Sequence, residues 1–599
     1  MNWPRRCLNG RYERVNGRDG LGAPGSSLAD GVSVKYHGPV SMTSTRRLPS
    51  LALTLDIVAG VALAVALVGW LTDGAGIHLG PWTLPVREVW RPLVVALVAL
   101  VLKVFAGRDP SERGAPSQVV AHVAFAFGVG TIVLLWAHYQ VRYCGGADSF
   151  GYMSAAKAIA TGTLVQPQPI ASLLPFAGAI DAATPFGWTP APGADALVPF
   201  YPLGFPVVVA AFMAVGGTGA GFYVPLLAGI GVLVLTYRLS RSLSSSVVAG
   251  ATTVVVAFSP MVTNMTVQPM SDIPAAFWYL AAVAALFASP SRPVMAGFAF
   301  GMAVWTRPLM LVTAPALLFI TGANWRIIVR FCAGAAPVMA AIAGVQWWLY
   351  GSPFRTGYGS AAGLFTTGTL AVNAWAYAKW IVIIHSPVFI VGLAAGVWRA
   401  PRRLAWAALC GLALGVLPYL FKLAYFDDWD LVRYVLPVLV PCLIVACLGV
   451  GDVLQRWLTR NWSVAAIVSC AALAAVGSYT FVANRATFHL VFQESRYSLV
   501  AEWVSTHTPP TAVVLAEGHS GSLRFYAART TLRTDVLPAG SLAATVNSLR
   551  RNGHEVFAVV DGEEEARPFN QRMAEARGAV RAEPIHRSRE AVIYRLEAP

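Results

Sequence analysis

Four ionisable side chains stand where a mostly apolar chain can least absorb them. They are Asp148 in CGGADSFGYM, Asp272 in PMSDIPAA, Arg307 in AVWTRPLM and Arg433 in FDDWDLVRYVLP. Each borders or interrupts a long apolar run. A charge near hydrocarbon is costly to hold, so it marks a function or a dedicated partner. The residue types point to two kinds of chemistry. A carboxylate can take a proton from a hydroxyl or an amine. A guanidinium can grip phosphate oxygens through paired hydrogen bonds. Plainer roles compete with these: Asp148 and Asp272 stand at helix starts and can act as N-caps, and Arg433 has Asp427, Asp428 and Asp430 beside it as ion-pair partners.

The surroundings must position these groups. SFGYMSAAKAIATG, directly after Asp148, reads as a helix lying in the membrane interface, with Tyr152 and Lys157 as headgroup anchors. The segment from YGSPFRTGYG to WIVIIHSP reads as one outer loop, and places Arg355, Tyr358, Lys379 and His385 as lining of the same cavity.

Composition sets the class. Of 599 residues, 56% are hydrophobic and 12% charged, about half the charged fraction of a soluble domain. With repeated apolar runs of near-spanning length, this is a polytopic α-helical membrane protein. The net charge of +15 comes from basic residues in short loops and at the N-terminus, so it describes topology and excludes nucleic acid as a partner. The seven cysteines form no CxxC pair and mostly lie in apolar runs, which indicates neither a zinc site nor a disulfide framework.

The apolar runs fall near 51–72, 88–106, 118–139, 221–241, 246–262, 273–289, 293–306, 308–322, 327–349, 384–399, 404–424, 431–449 and 461–483. The run 202–216 is short for a crossing. With the N-terminus inside, together with Arg46 and Arg47, and no crossing at 202–216, Arg238, Arg241, Arg292, Arg326, Arg330, Arg402, Arg403, Arg456 and Arg460 all fall inside. If that run does cross, most of them flip outward. The positive-inside rule therefore predicts about thirteen transmembrane helices, a cytoplasmic N-terminus and an outer C-terminal domain. Asp148, Asp272, the 350–384 loop and the FDDWD turn then share the outer face.

Three domains follow. Residues 1–48 are basic and Gly/Ser-rich, without periodicity, and read as disordered; Met42 offers a second translation start. Residues 49–485 are the transmembrane domain. Residues 490–599 alternate strands (512–518, 555–562, 591–597) with helices (496–507, 541–552, 563–576), a small α/β domain. Its turn EGHSGSLRFYAAR lacks the last glycine of a nucleophile elbow.

Taken in order, these features resemble the GT-C superfamily of integral membrane glycosyltransferases, which includes protein O-mannosyltransferases and aminoarabinose transferases. The likeness spans about residues 50–485. It rests on the acidic first outer loop with interfacial helices, YPLGFP (Tyr201 to Pro206), MSDIP, WTRP and the late Arg433-Tyr434. It implies a hexosyl or pentosyl transferase at the outer face of the inner membrane, with the C-terminal domain periplasmic. The donor would be a polyprenyl-phosphate-linked sugar, and the acceptor a glycolipid, polysaccharide or protein. On this resemblance Asp148 is the general base, Asp272 supports it, and Arg307 and Arg433 hold the donor phosphate. It fixes no cofactor. A divalent metal is admitted by the resemblance, but Ser149 stands where many members carry a second acid, and one carboxylate is a poor divalent site. A transporter or flippase of the same lipid-linked glycan pathway is the competing class.

Overall fold

The computed structural model describes residues 77–79, 82–84 and 116–598, apart from 323, 360 and 424–426. The N-terminal segment 1–48 and the predicted spans 51–72 and 88–106 lie outside the described residues. Among the described residues, six helices are long and apolar enough to cross a membrane. They are Gln118–His138, Thr218–Leu243, Trp325–Tyr350, Arg402–Leu420, Trp429–Trp457 and Arg460–Asn484. Two bent pairs raise the number to eight, and four shorter apolar helices accompany them, Gly204–Gly216, Asp272–Phe287, Pro293–Thr306 and Pro308–Thr321.

The breaks have local causes. Ser246–Phe258 and Pro260–Thr266 meet at 61° because Pro260 cannot donate to the preceding turn. The predicted run 384–399 is the second half of a longer helical segment, Leu370–Arg399, bent by 91° where Ser386 takes φ 62°. Lys379 and His385 therefore sit on a helix and not in a loop. Within hydrocarbon, close packing depends on small residues. Pro293–Thr306 meets Trp325–Tyr350 in this way. A Cβ on Gly297 would lie 1.8 Å from the Phe331 carbonyl oxygen, and one on Gly334 would lie 2.0 Å from that of Val294.

The C-terminal residues form a five-stranded mixed sheet in the order Thr530–Leu532, Val513–Ala516, Val556–Asp561, Ala591–Glu597, Arg581–Ser588. The first three strands are parallel, with Val513 opposite both Thr530 and Val556; the last two pair antiparallel. The short strand Thr530–Leu532 and the strand Arg581–Ser588 escape sequence reading. The former has only three residues, and the latter's mostly polar pattern shows no buried face.

This sheet shares its core with the segment that follows the helix Asp148–Thr161. Ile170, Ala171, Leu174, Ala182 and Ala183 pack among Val513, Leu515, Leu532 and Leu549. Backbone-directed bonds join the C-terminal residues to both sides of that helix. The Tyr526 hydroxyl accepts from the Cys144 amide at 2.8 Å, Arg524 donates to the Ala183 carbonyl at 2.6 Å, and Arg533 N donates to the Ala182 carbonyl at 2.7 Å. The helix Asp148–Thr161 is consequently covered by protein, with Ser149 to Ala156 buried. Lipid headgroups are not its main neighbour. Gly145 is the tightest point of this docking, since a Cβ there would lie 1.8 Å from the Tyr497 ring. Gly145→Val should therefore loosen the C-terminal domain at a cost of about 1–3 kcal/mol. Limited proteolysis of the 484–490 connection should detect it as faster cleavage than in wild type.

Candidate active site

Proline and helix starts place the four charged groups. Asp148 is the first residue of its helix, after a turn in which Gly146 takes φ +62°. Ala147 occupies the N-cap and makes no side-chain bond, so the Asp148 carboxylate is free for longer-range partners. Asp272 likewise opens Asp272–Phe287, with Pro274 in a first-turn position where no donor is needed. Pro308 forces Arg307 into extended backbone, which ends Pro293–Thr306 and turns the side chain out of the helix line. Arg433 lies in the 3-10 turn Trp429–Val435, whose start is capped by the Asp428 carboxylate accepting from Trp429 N at 2.7 Å.

The four converge. Arg433 Nη2 donates to Asp148 Oδ2 at 2.9 Å, and the Tyr201 hydroxyl donates to Asp148 Oδ1 at 2.5 Å. Arg307 forms an ion pair with Asp272, which is only 1% exposed. Tyr434 lies between the two guanidiniums: Cζ of Arg307 is 5.2 Å from its ring centroid and Cζ of Arg433 is 4.9 Å. Lys422 Nζ approaches the same ring at 4.1 Å. Three cations around one phenol ring gain cation–π attraction, yet they repel each other and suit an anion. Asp430 adds a carboxylate oxygen 3.4 Å from Arg433 Nε, out of hydrogen-bond geometry. The buried Nε of each guanidinium makes no hydrogen bond among the described residues. Two guanidiniums beside one ring are the groups a phosphate would pair with.

Electrostatics keep Asp148 ionised. Burial pushes its proton affinity up, but the Arg433 charge and the bonds from Tyr201 and Arg433 outweigh this and hold the carboxyl below the usual carboxylate range. Burial and the Asp148 charge raise the Tyr201 phenol well above its ordinary value, so it remains a donor. Gly204 explains why Tyr201 arrives here. A Cβ on it would lie 2.4 Å from the Trp305–Thr306 backbone, so only glycine lets YPLGFP pack against the turn that presents Arg307.

The remaining sequence candidates spread around this centre. Tyr152 is buried and accepts from Ser271 at 2.9 Å, with its ring 4.8 Å from Tyr201. Tyr358 stands 6.1 Å from the Tyr201 ring. Lys157 lies 5.0 Å from the Phe525 ring, against the C-terminal domain. Lys379 pairs with Asp427, Arg355 is exposed, and His385 lies beside the Ser386 bend with an unpartnered Nε2. Sequence reasoning missed Tyr201, Tyr434 and Lys422 as members of the site. Tyr201 and Tyr434 were visible as aromatic residues inside YPLGFP and beside Arg433. Lys422 carries no local signal. Among the described residues no three His, Cys, Asp or Glu side chains could hold a metal, and both Asp148 oxygens are engaged, so this donor set does not fit a divalent cation.

No protein-family model matches the chain, and no curated protein matches it. Solved structures do. ArnT from Cupriavidus metallidurans bound to undecaprenyl phosphate aligns at TM-score 0.52 and 14% identity, covering 80% of this chain and 98% of that one. The chain shares the fold of this ArnT. The apo state of the same ArnT aligns at TM-score 0.50 and 13% identity, over 79% and 98%. The Archaeoglobus fulgidus oligosaccharyltransferase in its apo form aligns at TM-score 0.48 and 12% identity, over 77% and 73%. At 14% and 13% identity to the two ArnT structures the fold is what is shared, and the role of each side chain rests on its own geometry.

Proposed function

We propose that this GT-C chain is an inner-membrane glycosyltransferase. It would move a hexosyl or pentosyl group from a polyprenyl-phosphate donor to an acceptor at the outer face, with about thirteen crossings and a periplasmic C-terminal domain. The observation that carries this reading is the pairing of one ionised carboxylate, Asp148, with a cation cluster around Tyr434 made by Arg307, Arg433 and Lys422.

The reaction balances on these groups. The acceptor oxygen bonds to the anomeric carbon while the bond from that carbon to the phosphate oxygen breaks. The electron pair leaves with the phosphate, where Arg307 and Arg433 stabilise the added charge. The acceptor proton passes to Asp148. Direct displacement inverts the anomeric centre. Asp272, buried against Arg307, acts as that residue's counter-charge and holds its fork in place. The competing flippase reading calls for polar groups near mid-membrane; here they gather at helix ends.

Purified protein should bind undecaprenyl phosphate, with affinity falling as salt rises. Deleting the gene should remove one sugar from an envelope glycan or glycolipid, read by mass spectrometry. Absence of both effects would overturn the assignment.

A further inference from the structure

The helix Leu490–His507 joins the last apolar helix to the C-terminal sheet, and its early turns carry Glu494, Arg496 and Tyr497. The sheet grips this stretch. Arg496 Nε lies 3.4 Å from Asp561 Oδ2, and His519 Nε2 lies 3.1 Å from the same oxygen. The Tyr497 ring is 4.7 Å from that of His519 and presses on Gly145 from the other side. Asp561 ends the strand Val556–Asp561 and His519 follows the adjacent parallel strand Val513–Ala516, so the sheet's end sets the register of the helix. Glu494 takes no part in this clamp.

Glu494 instead lines a cavity of about 250 Å³ that it shares with Asp148, Ser149, Gly146, Gln268 and Met270. Arg307, Arg433 and Tyr434 line none of it. Asp148 thus touches the cation cluster and also borders this cavity. Among the described residues Glu494 forms no ion pair; burial raises its proton affinity, while Arg496 and the Gly145 amide act against that rise. The cavity also meets the start of the 14-residue helix Asp148–Thr161, whose first-turn amides have no side-chain cap. It therefore offers carboxylate acceptors and amide donors together. A cation supplies donors only and an anion acceptors only. A hydroxyl does both.

We propose that this cavity receives the acceptor as the hydroxyl-bearing end of a glycan, with Glu494 accepting a hydrogen bond from one hydroxyl and so turning its neighbour toward Asp148. The C-terminal domain then completes the acceptor site by carrying Glu494 into it. This rests on the transferase reading above.

The test uses the full chain. Glu494→Gln, Glu494→Asp and wild type are each returned to a deletion strain, and the restored glycan is quantified by mass spectrometry. The purified proteins are titrated with undecaprenyl phosphate. Glu494→Gln should lower product at least about tenfold, as loss of a hydrogen bond to a charged group does. Its affinity for undecaprenyl phosphate should stay within about twofold of wild type, as for a site remote from the phosphate. Glu494→Asp, which keeps the charge, should recover part of the product. Wild-type product from Glu494→Gln would overturn the proposal. Joint loss of product and undecaprenyl phosphate binding would also overturn it, by placing Glu494 in the framework. A wild-type chain that restores no glycan and binds no undecaprenyl phosphate is a different outcome, and it fails the transferase reading itself.

Discussion

Asp148→Asn should lower transfer by about 10²–10⁴-fold, the usual contribution of a positioned base, while undecaprenyl phosphate binds at least as tightly as to wild type. The two halves of this result have one cause. Asp148 Oδ2 holds Arg433 Nη2 at 2.9 Å in the resting site. A donor phosphate must compete with that carboxylate for the guanidinium. Asparagine is the same size and can still accept from Tyr201, but it brings no negative charge, so the competition is relieved. It also cannot take a proton.

The same geometry links donor binding to basicity. A carboxylate held below its usual range by Arg433 is ionised but weakly basic. When phosphate draws the Arg433 charge toward itself, that hold slackens and the proton affinity of Asp148 rises. Because the shift in the free enzyme is downward, kcat/KM for the donor should not fall until the pH drops below the ordinary carboxylate range. Product measured by mass spectrometry and affinity by titration check both halves. Full activity in Asp148→Asn removes the carboxylate from the reaction.

Much of this site was legible because it violates the sequence around it. Asp148, Asp272, Arg307 and Arg433 are conspicuous only as charges in apolar surroundings, and Pro308 beside Arg307 announces the break that exposes it. The fold shared with ArnT was legible from the order of such interruptions along the chain. What stayed hidden depends on contacts distant in sequence. Asp148 meets Arg433 across 285 positions, and Cys144 meets Tyr526 across 382. Neither periodicity nor composition reports such a meeting. The helix Asp148–Thr161 was read correctly as a helix, but its companion was not. The small residues that suit a lipid interface equally suit burial under a protein sheet, and only the sheet's position decides between them. Glu494 was invisible for a related reason: in QESRYS it looks like an ordinary charged residue on a polar helix, until that helix is laid against Gly145.

Arg307 and Asp272 give the second large effect, and it separates framework from chemistry. Asp272→Asn removes the counter-charge from a buried guanidinium, which should cost about 3–5 kcal/mol of stability. A loss of activity in that variant alone would prove little. The double variant Arg307→Met with Asp272→Leu replaces the pair by apolar groups of similar size, a change that is often neutral or stabilising. It should therefore recover most of the thermal stability that Asp272→Asn loses. It should not recover transfer, which should stay down by about 10²–10³-fold, the effect of deleting one preorganised donor to a developing anion. Affinity for undecaprenyl phosphate should fall with it, because the Arg307 guanidinium has gone from beside Tyr434. Arg307→Lys tests the geometry separately. A single ammonium satisfies Asp272 but cannot also offer the planar fork, so it should keep stability and lose transfer. Thermal melts and product yields on the three variants decide the matter: a stable double variant that transfers at the wild-type rate would reduce Arg307 and Asp272 to a structural pair.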